Sequence, residues 1–431
     1  MIPKRPINAD VPEAETKEAA APRYESPKQG PGAPKLIAGL VALAVVFIVA
    51  AIVFGTGGGD SSTGEGDAPA PPAAGKQPAE PAASQTSEDL GYPAFATSNT
   101  TRIGGSDPVA SAAGAALAAF PSTTPQQRPA AVTIVGEEDW AGAVAAAVLM
   151  AAPVRAPILF SGPEEMPEAS EEALAAMDPQ GSAATGQASL FAVGTVAYPG
   201  KAAPIDSGDP AATAAEIFNL RERLAGAPPR HIVVAPSSSP DFAMPAAAWA
   251  ARSGDPVLYA ESKQLPQSTA AVLKAHPQVP VYVLGPAPVI SSDVVRRIGK
   301  ISKRVKRVSG EDPVANAIAF ARYRDGSFGW NINDPGHGFV LARSDSPADA
   351  AAAAPLSASG TWGPLLLTDD SEALPQQVRS YLLDLKPGYT TDPTRAFYNH
   401  VWVIGDADAI EVGQQAEVNE LAELAKIGGG E

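Results

Sequence analysis

The side chains best placed by type and spacing to do chemistry lie in three polar strand-end loops and one basic stretch rather than in a catalytic motif. Glu137-Glu138-Asp139 follows a short β-branched run, and Ser237-Ser238-Ser239-Pro240-Asp241 and Arg343-Ser344-Asp345-Ser346 follow two others, with Asp349 close behind. Ligands of open α/β sheets gather at the carboxyl ends of strands. Acids there could hold a divalent cation that bridges to a polyanion, and helix N-termini there would favour negative ligands. The competing reading is that Ser and Asp simply cap the next helix. Arg296, Arg297, Lys300, Lys303, Arg304, Lys306 and Arg307 make one dense basic stretch. It could hold phosphates or carboxylates by Coulomb attraction, or be a solvated helix face. Arg102 and Arg307, at equivalent places, could instead pair with acids of a neighbouring module. Trp330 lies in Asp325 to Gly336, DGSFGWNINDPG, which reads as a loop. An exposed ring there would stack on a sugar, whereas core and inter-module packing is the ordinary use of tryptophan.

Much chemistry is excluded or unsupported. The chain has no cysteine, hence no disulfide, thiolate nucleophile or cysteine metal site. His231, His276, His337 and His400 show neither HxxxH nor HExxH spacing. No Gly-x-Ser-x-Gly elbow, Walker loop or dinucleotide fingerprint occurs. No catalytic residue, metal or cofactor is therefore expected. A formal net charge of −16 over 431 residues argues against a nucleic-acid partner.

The elements that carry these residues recur. Arg102-Ile103-Gly104-Gly105-Ser106-Asp107-Pro108-Val109-Ala110 returns as Arg307-Val308-Ser309-Gly310-Glu311-Asp312-Pro313-Val314-Ala315, with a worn copy at Gly208-Asp209-Pro210-Ala211-Ala212. The period of about 100 residues suits a small domain. Asp accepts from the free N–H groups of a new helix, and Pro at its first position loses only a donor without a partner. Each copy therefore predicts a helix start. Behind each comes a β-branched run (131–136, 231–235, 338–342), a small-residue helix (141–152, 246–251, 348–356) and a strand entered through Pro157, Pro256 or Pro364. A Leu/Met-Pro helix start and a strand ending at Gly194, Gly285 or Gly405 follow. Alternating strands and helices predict an α/β fold of three tandem parallel-sheet modules: 96–200, 201–300 and 301–427.

The N-terminal part reads differently. Residues 1–34 are polar and Pro-rich, the composition of a disordered cytoplasmic tail. Leu36 to Phe54 is uncharged over about 19 residues, enough to cross a hydrocarbon core about 30 Å thick. A retained transmembrane helix over 35–55 is expected rather than a cleaved signal, given the long leading tail and the length of the apolar run. Arg23, Lys28 and Lys35 before it, and Asp60, Glu65 and Asp67 after it, orient the tail to the cytoplasm and the remainder outside. Residues 56–95 form a Pro/Gly/Ala-rich linker.

The succession of 100–425 resembles the cell wall-binding repeat 2 family, found as triplets on Gram-positive surface proteins. The likeness rests on the Arg-x-x-Gly-x-Asp opening at Arg102, on Pro347-Ala348-Asp349-Ala350-Ala351, on Pro364-Leu365-Leu366-Leu367-Thr368 and on the third strands. Gly142 and Met244 stand where the first two helices should carry the family aspartate. The resemblance implies three modules in a pseudo-threefold arrangement and non-covalent attachment to an anionic wall polymer or peptidoglycan. The expectation is thus a single-pass membrane protein that binds the wall without catalysis. A glycan-modifying enzyme and a scaffold for other envelope proteins stand as alternatives.

Overall fold

Residues 96–205 and 208–427 are described by the structure, a computed structural model. The expected tail, membrane span and linker lie outside the described residues. Among the described residues, no helix is long and apolar enough to cross a membrane.

The described chain opens with β1 (Thr100–Ile103) and α1 (Pro108–Ala119). Next come β2 (Val132–Gly136), α2 (Trp140–Ala146), β3 (Ile158–Ser161), α3 (Glu168–Met177), β4 (Leu190–Val193) and β5 (Ala203–Ile205). After α4 (Pro210–Ala225) the plan repeats through β6 (Ile232–Pro236), α5 (Pro240–Ala243), α6 (Pro245–Ser253) and β7 (Val257–Ala260). It continues with α7 (Gln267–Ala275), β8 (Val281–Leu284), α8 (Ser292–Gly299) and β9 (Val305–Val308). After α9 (Pro313–Arg322) come β10 (Gly338–Arg343), α10 (Pro347–Ala352), α11 (Ala354–Ala358), β11 (Leu365–Thr368) and α12 (Gln376–Asp384). The chain closes with β12 (Gly388–Tyr389), β13 (His400–Ile404), α13 (Val412–Ala422) and β14 (Ala425–Lys426), β12 and β14 forming a short parallel pair of their own.

Three four-stranded parallel sheets result, ordered β3-β2-β4-β5, β7-β6-β8-β9 and β11-β10-β13-β1. The expected mixed α/β architecture with repeated small parallel sheets is present. The Asp-Pro phrase caps helices as its chemistry predicts. Asp107 accepts from the Ala110 amide at 2.9 Å, Asp209 from Ala211 at 2.9 Å, and Asp312 from Ala315 at 2.7 Å, each with Pro at the helix start. Such a cap contributes about 1 kcal/mol.

The residues just before that phrase form a strand that the repeat pattern did not reveal. β5 and β9 complete the sheet of the module behind them, and β1 reaches across the chain to complete the last sheet through β13. One hydrogen bond recurs in all three: Gly194 N–H to Ile205, Gly285 to Val308, and Gly405 to Ile103, each 3.0 Å. The three glycines have φ of +71°, +97° and +98°, where a side chain would be strained. This is why each third strand ends in Gly.

The small-residue helices meet in the middle. α6 packs on both α2 and α11, and α10 packs on α2, so each module touches the other two. Alanines 143, 145, 146, 247, 250, 350 and 351 are essentially buried. Alanine surrenders no side-chain entropy on ordering and lets backbones approach closely. Tyr259, fully buried, joins the first two modules by donating its hydroxyl to the Ala141 carbonyl at 2.7 Å. The expected continuous helix over 348–356 divides into α10 and α11, with Pro355 in the first turn of α11. Proline there removes an amide and crowds the preceding turn.

Candidate functional site

The basic stretch is an exposed ridge. α8 places Arg296 and Arg297 in its last turn, and its apolar face buries Val294 and Ile298 beneath them. Lys300, Lys303 and Arg304 continue on the connection to the edge strand β9, all exposed. Arg297, Lys300, Lys303 and Arg304 have no carboxylate within ion-pair distance among the described residues, whereas Arg296 pairs with Asp293 at 2.7 Å. Asp325, which pairs with Lys306, also acts on Arg304 through its charge. Exposed cations spaced along one ridge raise the local positive potential.

The structure draws two residues of this stretch into other work. Lys306 pairs with Asp325 at 2.7 Å. Arg307 is half-buried and donates to the carbonyls of Gly285 and, at 2.7 Å, Ile290. Arg102 is 3 % exposed and donates to the carbonyls of Gly405 at 2.8 Å and Ile410 at 2.6 Å. Burial lowers both arginine pKa values. Arg307 is thus not a free member of the basic stretch, and the alternative of pairing with a neighbouring module's acids gives way in both arginines to bonds with backbone carbonyls. A rigid guanidinium fork in β1 or β9 reaches the carbonyls of the turn after β13 or β8, since Arg102 and Arg307 lie in register with Val403 and Val283.

The strand-end acids do not form one cluster. Glu137 and Glu138 are exposed and share a cleft of about 770 Å³ with Asp107, Glu168, Asp406 and Asp408. Asp139 caps α2, accepting from the Gly142 amide at 2.8 Å. A side chain at 142 would collide with that carboxylate, the added carbon lying 2.1 Å from Oδ2. The glycine found in place of the family aspartate thus leaves room for the Asp139 carboxylate. Helix starts align 142 and 349 with Phe242, so Phe242 rather than Met244 occupies that place in the second module. Asp241 is half-buried and bonds the adjacent Phe242 amide. Asp345 is held by the Arg343 fork at 3.1 and 2.7 Å, which keeps its carboxyl below the usual range. Asp349, 7 % exposed, is pushed up by burial, an effect that Ser346 and Ser111 partly oppose. No group of three or more His, Asp or Glu among the described residues is arranged to hold a metal ion.

Trp330 is not the open platform that the loop reading suggests, being 8 % exposed. The insertion 325–336 folds back on the second module. Phe328, fully buried, stacks on Tyr282 at 3.5 Å between centroids and meets His231 and Trp249 edge-on. Trp330 packs against Trp249 at 5.4 Å and Trp362 at 6.3 Å. Aromatic burial of this extent outweighs the preference of a Gly-rich loop for solvent. Arg252 lies 4.0 Å over the Trp362 ring, and Arg230, Arg252 and the three tryptophans line a cavity of about 390 Å³.

The family model for cell wall binding domain 2 (CWB2) matches residues 205–295 and 307–413. Two solved structures from Clostridium difficile are similar, each at 18 % identity. Cwp8 has a TM-score of 0.56, covering 76 % of this chain and 52 % of its own. Cwp6 has a TM-score of 0.55, covering 75 % and 47 % respectively. The chain spans about half the length of these relatives, and at this identity the likeness concerns the fold. No curated protein matches the chain. All of the first sheet but Ile205 precedes the matched segments, yet its strand order is that of the other two.

Proposed function

Because the family model for cell wall binding domain 2 matches residues 205–295 and 307–413, we propose that this chain attaches non-covalently to an anionic polymer of the cell wall. The exposed cations Arg297, Lys300, Lys303 and Arg304, which make no ion pair among the described residues, carry the proposal. They concentrate positive charge on a chain of net charge −16, so binding is local and electrostatic rather than a property of the whole surface. Leu36 to Phe54 serves as the membrane anchor in this reading, with the N-terminal tail cytoplasmic and the three modules outside. The protein then links membrane to wall.

Purified residues 91–431 would be co-sedimented with wall sacculi before and after acid stripping of their anionic polymers. Binding that is lost on stripping and weakened by salt supports the proposal. Absence of binding to both preparations would sink it, and would favour a scaffold for envelope proteins.

A further inference from the structure

The cavity between the second sheet and the 325–336 insertion brings together three residues that are far apart in the chain. Asp255, 2 % exposed, accepts from the His231 amide at 3.0 Å, the His231 ring Nδ1 at 2.9 Å and the Trp249 indole at 3.0 Å. A carboxylate so placed keeps the proton of the neutral ring on Nδ1. Nε2 is left as an acceptor, and the Ser327 hydroxyl lies 3.3 Å from it. Ser327 is exposed at the tip of the tight hairpin closed by Asp325 and Phe328, with Gly326 at φ +62° supplying the turn. The hairpin is held in place by the Phe328–Tyr282 stack and by Asp325, which accepts from Tyr282 at 2.7 Å and pairs with Lys306. Hydroxyl, imidazole and carboxylate are in the order that activates a serine.

The fold does not require this group. At the residues aligned with His231 and Asp255, the first module has Ala131 and Ala156, and the third has Gly338 and Gly363. The third leaves no room for larger residues, since an added carbon at Gly338 would lie 1.7 Å from the Thr361 carbonyl oxygen. The same strand pair is thus built twice with the smallest residues and once with an ionisable dyad. That dyad lines a cavity of ligand size, about 390 Å³, beside Arg230 and Arg252.

We propose that Ser327, His231 and Asp255 form a serine acyl-transfer site that hydrolyses short O-acyl esters of anionic molecules; that the alcohol is a saccharide rests on the wall attachment proposed above. Ser327 Oγ attacks the ester carbonyl carbon while His231 Nε2 takes the hydroxyl proton. The tetrahedral intermediate then expels the sugar alkoxide, which takes that proton and leaves the acyl group on Ser327. Water attacks the acyl-serine, gives a proton to His231 and releases the carboxylic acid as the proton returns to Ser327. Asp255 is a positioning residue that orients the ring. Arg230 and Arg252 supply positive charge for the anionic substrate, and the tryptophans supply apolar walls.

The test uses the full chain with a biotinylated fluorophosphonate and with p-nitrophenyl acetate. Expected are covalent labelling at Ser327, located by peptide mass spectrometry, and ester hydrolysis that falls about 100-fold in Ser327→Ala. Ser327→Ala removes one exposed oxygen and should retain its circular dichroism spectrum and its binding to sacculi, so this test is separate from that of wall attachment. Asp255→Asn should slow labelling and displace its pH profile; an unchanged profile would remove Asp255 from the site. No labelling of the wild-type chain, or equal hydrolysis by wild type and Ser327→Ala, overturns the proposal and makes the contact a packing device.

Discussion

Arg102 donates to the Gly405 carbonyl at 2.8 Å across 303 positions of sequence. The bond ties the first described strand to the turn after the last long one. The same guanidinium bonds Ile410 and, through Nε, the Gln415 side chain at 3.0 Å. The third sheet is therefore closed by the beginning of the repeat region, and the three modules are joined into a loop of contacts rather than a row.

Arg102→Ala should be strongly destabilising, because it strands several buried carbonyls at once. A loss of about 3 kcal/mol is expected, read as a lower urea midpoint. Arg307→Ala should cost less, since Arg307 is only half-buried. Equal, small effects would show that ring closure contributes little.

Gly142→Ala should release the Asp139 cap, because the added methyl occupies the place of the carboxylate. The expected cost is about 1–2 kcal/mol, although alanine is the better helix former. A thermal melt that rises would show that the cap moves aside freely.

The Asp349 carboxyl has a pKa raised in the folded protein, chiefly by desolvation. Its charged form is thus penalised on folding. The penalty is absent below the unfolded carboxylate range, grows as pH rises toward the folded value, and is complete above it. Asp349→Asn should stabilise the protein by about 1 kcal/mol at neutral pH and lose that advantage near pH 3. Denaturation at both pH values checks the sign. A destabilised Asn variant at pH 7 would mean that the anion has a partner essential to the fold.

Reversing Arg297, Lys300, Lys303 and Arg304 to Glu should abolish sedimentation with unstripped sacculi while leaving the melting temperature within a few degrees. Surface charges far from buried features contribute little to stability. In the wild type, binding should weaken progressively above about 0.1 M salt, where the Debye length is about 10 Å. Retained binding after reversal would move the site elsewhere on the chain.

Local signals carried much of the fold. Asp107, Asp209 and Asp312 announce helix starts because capping depends on a few adjacent atoms. Short β-branched runs announce the inner strands because burial on both faces demands them. Gly285 and Gly405 announce strand ends because their φ values are positive. The edge strands were less legible. VKRV at β9 is polar on an edge, and TTRI at β1 pairs with a strand about 300 residues later, a choice of partner that no local pattern encodes.

The candidate sites divide along the same line. The composition of the basic ridge is visible in sequence because α8 and β9 are consecutive, but tertiary contacts decided that Lys306 pairs with Asp325 and Arg307 with backbone carbonyls, while Arg297, Lys300, Lys303 and Arg304 make no ion pair among the described residues. Trp330 reads as a loop residue, and only the aromatic face of the second module turned it inward. Ser327, His231 and Asp255 carry no mutual signal in sequence, being separated by 96 and 24 positions. Their meeting depends on the insertion of one module folding over the strands of another. The sequence by itself determined helix starts, inner strands and charge, because those follow from neighbours along the chain. Tertiary structure alone decided closure, burial and convergence, because those depend on which surfaces exclude water together.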